Sequence, residues 1–287
     1  MKTVGFIDYF LNEWHANEYP AMIRDYNQKH GTDYQFKYAW AEIDVPGGVT
    51  TKEWCKNYGV EPCATIEELC KKCDCVFVLA PSNPEKHLAY AEEVFKCGKN
   101  PYIDKTFAPD YQTAMQIYDL AEKYGVKFFS TSALRYADEI KDYNENAKTV
   151  FTVGGGSNME EYIIHQIEMA VKCLGVGAKK VLYNKYSDQE WAEVEYNDGR
   201  YAKMMFSPCM PFAITVADNN EKSAYKPVNS AFFNNLIADI FKFFETCEVP
   251  FSSRQTLEVM KIREGVIKAK EKAGIWINIL NNLKWVL

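Results

Sequence analysis

The run Cys75-Val76-Phe77-Val78-Leu79-Ala80 has no polar position on either face. A strand of that pattern suits the middle of a sheet covered on both sides, which means parallel strands flanked by helices. The segments around it alternate accordingly. Thr3 to Ile7 is an apolar, β-rich run, and Pro20 to Tyr26 follows with Met22, Ile23 and Tyr26 at helical spacing before the Gly31 turn. Gln35 to Ile43 predicts a second strand, closed by Pro46-Gly47-Gly48, and Lys52 to Tyr58 a short helix stopped by Gly59. Thr65 with Glu68 forms a capping box that starts a helix running to Lys72. After the central run, Asn83-Pro84 opens a helix with Leu88, Ala91, Val94 and Phe95 on its buried stripe, ended by Gly98. Pro101 to Ile103 predicts another strand. A helix from Asp110 carries Ala114, Ile117, Leu120 and Ala121 inward and ends at Gly125, before the strand Val126 to Ser130. Strands and helices alternating at this length predict a doubly wound parallel sheet, whose ligands bind beyond the carboxyl ends of the strands.

From about residue 150 the pattern becomes strand alternation. Ala192, Val194 and Tyr196 point one way, Asn197-Asp198-Gly199 turns the chain, Arg200 to Phe206 runs back, and Phe212, Ile214 and Val216 alternate again. Helices are predicted over Met159–Cys173, Ser230–Thr246 and Thr256–Ala273. The expected class is α/β, with two domains: a Rossmann-type doubly wound sheet over 1–137 and an α+β domain with a mainly antiparallel sheet over 138–287. One face of that second sheet would be left for pairing, which predicts a homo-oligomer.

The chain has 287 residues, 47% of them hydrophobic and 25% charged, which suits two packed cores. Net charge is -6, with no basic run, so nucleic acid and anionic membrane are not expected partners. The apolar start meets Asp8 at once, no apolar stretch is long enough to span a bilayer, and nine cysteines are scattered without a pairing pattern. These features predict a cytoplasmic protein without disulfides. Cys70, Cys73 and Cys75 are close in sequence but lack a nearby His, and no metal site is expected.

The block from Thr65 to Tyr136 resembles the Gfo/Idh/MocA family of NAD(P)-dependent sugar and cyclitol oxidoreductases. The landmarks run in order: an apolar strand into Ala80-Pro81-Ser82-Asn83 with His87 beyond, Gly98-Lys99, an acidic-Lys element at Asp104-Lys105, Ala121-Glu122-Lys123-Tyr124-Gly125-Val126, and Arg135-Tyr136. Further on, Gly154-Gly155-Gly156 followed by Glu161 and His165 looks like the family's glycine-led helix with an acid and a His four residues apart. The resemblance implies that Lys105, Glu161 and His165 work on one substrate hydroxyl while a nicotinamide takes hydride from the same carbon. The residues support the assignment: Lys105 follows a parallel strand, and Glu161 and His165 share a helix face. The resemblance also implies NAD or NADP as cofactor, with Asp8, Tyr9, Phe10, Glu42, Ala80, Ser82, Asn83, His87 and Asp104 on the cofactor side. His15 and His30 are read as structural.

The first β-α turn departs from the pattern. A dinucleotide binder needs a glycine-rich loop there, so that its backbone can approach the diphosphate at a helix N-terminus. This chain reads Asp8-Tyr9-Phe10-Leu11-Asn12-Glu13-Trp14-His15 instead. Large side chains replace small ones, and Asp8 and Glu13 add like charge where a diphosphate would sit. Three functions follow as expectations. The first is an NAD(P)-dependent oxidoreductase acting on a hydroxyl of a sugar, sugar acid or cyclitol. The second is a cofactor-free descendant serving as a carbohydrate-binding or regulatory subunit, and the third an isomerase or lyase using the same acid-base residues.

Overall fold

A computed structural model of the chain describes residues 1–218 and 223–279; the end of the second predicted domain, 280–287, lies outside them. The described residues fall into two compact units. One is Met1–Thr131 with Phe233–Phe251, and the other is Ser132–Phe232 with the chain from Ser252 onward.

The first unit runs β1 (Lys2–Asp8), α1 (Trp14–His30), β2 (Tyr34–Ala41), α2 (Thr51–Tyr58), β3 (Glu61–Pro62), α3 (Ile66–Lys72), β4 (Cys75–Val78), α4 (His87–Lys96), β5 (Tyr102–Asp104), α5 (Tyr111–Tyr124) and β6 (Phe129–Thr131). Its strands are all parallel, in the order β3-β2-β1-β4-β5-β6. This is the doubly wound sheet that the apolar periodicity predicts. Every residue of β4 is buried, as its two-faced apolar run requires. Helix ends follow local chemistry. Thr50 and Glu53 form a reciprocal capping box for α2, Asp110 caps α5, and Gly31, Gly59 and Gly125 close three helices in the left-handed region. Helix α1 starts at Trp14, ahead of the Pro20 start expected from spacing, and carries Pro20 inside it.

The second unit runs β7 (Ala147–Gly154), α6 (Met159–Leu174), β8 (Ala178–Tyr186), β9 (Gln189–Tyr196), β10 (Tyr201–Phe206), β11 (Ala213–Asp218) and β12 (Ser223–Pro227), then, after α7 (Phe232–Thr246), α8 (Ser253–Lys270) and β13 (Ile277–Asn278). Its sheet is ordered β12-β11-β7-β10-β9-β8-β13. All pairs are antiparallel except β7 with β10. Val181, Val194, Ala202 and Met204 lie buried on the face that α6 and α8 cover. On the opposite face Phe151 and Tyr225 are 47% and 68% exposed, beside a shallow groove of about 250 Å³ also lined by Val153, Met205 and Thr215.

Helix α7 packs with the first unit, because its aromatic stripe finds aromatic partners there. The Phe241 ring stacks 3.9 Å from that of Tyr34 and lies 6.2 Å from Phe77 on β4, while Phe233 sits 4.7 Å from Trp14. Such rings carry large buried areas and add edge-to-face attraction. The Tyr34 hydroxyl also donates to Glu245, at 2.6 Å. Among the described residues no helix is long and apolar enough to cross a membrane.

Candidate functional site

In the first unit the chain leaves β1 toward β2 and β3 on one side, and leaves β4 toward β5 and β6 on the other. The crevice beyond β1 and β4 is therefore the topological switch point, where such sheets take ligands. Asp8 ends β1 in this crevice, 1% exposed. Its Oδ1 accepts the N–H of Tyr9 at 2.7 Å and of Ala80 at 3.0 Å, tying β1 to the end of β4. Its Oδ2 is buried without a hydrogen-bond partner among the described residues. Burial pushes the Asp8 carboxyl well above the ordinary carboxylate range, and Glu13 beside it adds to the rise.

Glu13 caps α1 with its own side chain. One carboxylate oxygen accepts the N–H of His15 at 2.8 Å and the other accepts that of Ala16. Glu13 is itself raised, by burial, against the opposing pull of His15. Next in line, the His15 ring donates from Nδ1 to Oδ2 of Asp104, at the end of β5. Asp104 also accepts the Tyr102 hydroxyl at 3.0 Å and the Lys105 N–H at 2.8 Å. Burial alone would raise Asp104; the pairing with His15, helped by Lys105, overcomes it and holds the carboxyl below its ordinary value. Lys105 is 9% exposed, and no described residue accepts a hydrogen bond from its ammonium.

A diphosphate at this point would need free N–H groups at the start of α1. Two of them are already bound to Glu13, and Asp8 sets a second carboxylate alongside. These residues do not fit that group. The other cofactor-side candidates are engaged as well. Glu42 binds Lys86 and accepts the Tyr90 hydroxyl at 2.6 Å, and the Lys86 ammonium lies 4.8 Å from the Tyr9 ring centre, with Phe10 against Tyr9. Asn83 donates to Glu85 at 3.1 Å, Ser82 is exposed, and Ala80 has φ 58. His87 is fully buried and turns both ring nitrogens to backbone carbonyls, of Phe107 at 2.9 Å and of Leu79, so neither faces a ligand. Among the described residues no group of three or more His, Cys, Asp or Glu is placed to hold a metal ion.

In the second unit β7 ends at Gly154, and the position after it is glycine for a steric reason. A Cβ on Gly155 would lie 2.5 Å from the Ser207 carbonyl oxygen and 2.6 Å from that of Pro208. Asn158 then caps α6 by accepting the Glu161 N–H at 2.9 Å. The Glu161 carboxylate accepts from Ser157 and from Asn158, at 3.3 and 3.5 Å. One turn on, His165 Nδ1 lies 2.6 Å from the Ser132 hydroxyl. The Ser132 N–H donates to Glu168 at 3.2 Å, and Glu168 pairs at 2.9 Å with Arg135, both side chains buried. Ser132 and Glu168 thus hold the candidate histidine, although no local sequence signal marked them. The capping role of Glu13 and the partner of His15 left no such signal either: Glu is not a customary cap residue, and Asp104 lies 89 positions from His15.

Fold and site together define a protein with a Rossmann-type sheet and an acid-lined crevice, joined to a unit with a mixed sheet. Residues 27–132 match the family model described as "Oxidoreductase family, NAD-binding Rossmann fold", that of the Gfo/Idh/MocA group. The match overlaps the block from Thr65 as far as residue 132, in agreement with the resemblance read there. No curated protein matches the sequence. Solved structures share the architecture across almost the whole chain. A probable dehydrogenase from Thermotoga maritima matches with a TM-score of 0.77 at 11% identity, covering 96% of this chain and 99% of its own. GenD2 from gentamicin A biosynthesis, solved in complex with NAD, gives 0.75 at 13%, covering 98% and 97%. UDP-N-acetylglucosamine 3-dehydrogenase from Acidithiobacillus ferrooxidans gives 0.71 at 14%, covering 93% and 97%. At such identities the likeness is one of fold.

Proposed function

We propose that this protein is an oxidoreductase acting on a hydroxyl of a sugar, sugar acid or cyclitol, with NAD or NADP as its cofactor. The family match over residues 27–132 supports the class. The observation that carries the reading to a residue is Lys105, 9% exposed at the carboxyl end of β5 and directly after a buried, ionised-favoured Asp104. Lys105, His165 and Glu161 are the proposed acid-base residues, an imidazole being a common proton-transfer group. The dinucleotide would have to lie away from the start of α1. The test is calorimetric titration with NAD(H) and NADP(H), followed by turnover assays over aldoses, aldonic acids and inositols. No binding at about 1 mM cofactor, the weak end of ordinary affinities, removes the redox reading.

The cap that Glu13 places on α1 favours a second reading, a family descendant that binds carbohydrate without a dinucleotide. It expects sugar-dependent thermal stabilisation with no cofactor effect, since a ligand of the folded state raises stability. The exposed face carrying Phe151 and Tyr225 supports self-association as part of either reading, checked by light scattering.

A further inference from the structure

We propose that the first unit carries its own anion in place of a ligand's phosphates: Glu13 stands at the diphosphate position, and the crevice is closed there to dinucleotides. This inference rests on the second reading above. Three observations converge on it. First, the N–H groups of His15 and Ala16, which a diphosphate would take, are each bound by one oxygen of the Glu13 carboxylate. An external anion must displace an intramolecular one, which pays no cost of association. Second, Asp8 lies alongside, 1% exposed, with Oδ2 lacking a partner among the described residues. Glu13 beside it already disfavours a further negative charge at this buried position, and a phosphate drawn in would meet the same penalty. Third, the His15–Asp104 pair runs from the start of α1 to the end of β5. Strand β4 lies between β1 and β5 in the sheet, so the pair spans the carboxyl end of β4 at the switch point. A dinucleotide in the fold's usual pose would have to cross that same ground.

The three features belong together. Glu13 and His15 are two residues apart, so the turn that aims one carboxylate at the helix start also delivers the imidazole to Asp104. A neutral polyol meets none of this repulsion, whereas phosphate-bearing ligands meet all of it. The crevice therefore discriminates by ligand charge.

The test uses the full chain, with inorganic pyrophosphate and NADH as probes, followed by calorimetry and thermal shift. The parent is expected to bind neither at about 1 mM. The double variant Asp8→Asn with Glu13→Ser, which keeps a good cap residue, is expected to bind pyrophosphate and NADH at least about tenfold more tightly than the parent. Should that variant fail to fold, Glu13→Gln keeps the side chain's length, removes its charge, and carries the same expectation. Parent protein that binds NADH, with no gain in either variant, overturns the inference and leaves the redox reading in place. Parent protein that binds no NADH, with no gain in the variants, also overturns the role given to Glu13. The cofactor-free carbohydrate reading is then decided separately, by whether glucose, gluconate or myo-inositol raises the parent's melting temperature.

Discussion

His15 and Asp104 stand 89 residues apart in sequence, yet the imidazole Nδ1 donates to the Asp104 carboxylate, with side chains 10% and 1% exposed. The pair joins the start of α1 to the end of β5. Its members serve each other: the histidine stabilises a carboxylate that burial would otherwise neutralise, and the carboxylate orients the ring.

Replacing His15 by Ala leaves the Asp104 charge buried with only the Tyr102 hydroxyl and neighbouring Lys105 to answer it. Breaking a buried pair by removing one partner is expected to cost about 3 kcal/mol, read from urea unfolding at neutral pH. Because the folded-state pKa of Asp104 is depressed, its contribution is present above the ordinary carboxylate value of about 4. It is lost as the pH falls through the depressed value, so parent and variant curves should converge under acid conditions.

Asp8 carries the opposite sign. Its folded-state pKa is raised, by burial and by Glu13, so the folded protein holds that proton more tightly and loses stability as the pH climbs above about 4. Asp8→Asn keeps the acceptor for Tyr9 and Ala80 and turns a donor toward Glu13. At pH 7 the variant should be more stable than the parent by about 1.5 kcal/mol, the size of a hydrogen bond to a charged acceptor. That gap should close near pH 3; a variant less stable than the parent at pH 7 contradicts the placement of the two carboxylates.

Gly155→Ala forces a Cβ within 2.5 Å of a backbone oxygen, which cannot rotate away as a side chain would. The loop at Ser207 and Pro208 must shift, at about 1–3 kcal/mol in line with other overpacked sites. Since α6 follows directly, the His165 imidazole resonances should move in an NMR spectrum of the variant, while those of His30 stay put.

Arg135→Met leaves Glu168 charged and buried in the second unit. A loss of about 3 kcal/mol is expected. Glu168 also holds the Ser132 backbone, and Ser132 holds His165, so the His165 titration should change as well. Adding Glu168→Leu should recover part of the stability without restoring that titration.

Most elements of the first unit were legible, because period and caps are local; the two-residue β3 and the membership of α7 were not. Two-faced apolar residues at 75–80, Thr65, Asp110 and the glycines after α1, α2 and α5 each constrain a few neighbouring torsions. The second sheet's alternation was legible for the same reason, although the parallel pairing of β7 with β10 was not, since register between distant strands leaves no mark in either. The helix predicted over Ser230–Thr246 has Leu236, Ile237 and Ile240 on its buried face. Where it is buried, against Tyr34, Trp14 and Phe77 of the first unit, depended on partners some two hundred residues earlier.

The candidate site divides along the same line. Sequence alone determined that the turn after β1 lacks glycines and carries two acids, because residue type is a property of a one-dimensional string; Lys105, Glu161 and His165 entered as candidates through the family resemblance. Only the tertiary structure decided what the acids do. Glu13 binds its own helix start, Asp8 is buried against Ala80 from the end of β4, and His15 finds Asp104. Those outcomes depend on strands separated in the chain lying side by side in the sheet, and on burial, which turns an ordinary charge into one that must be answered by a neighbour.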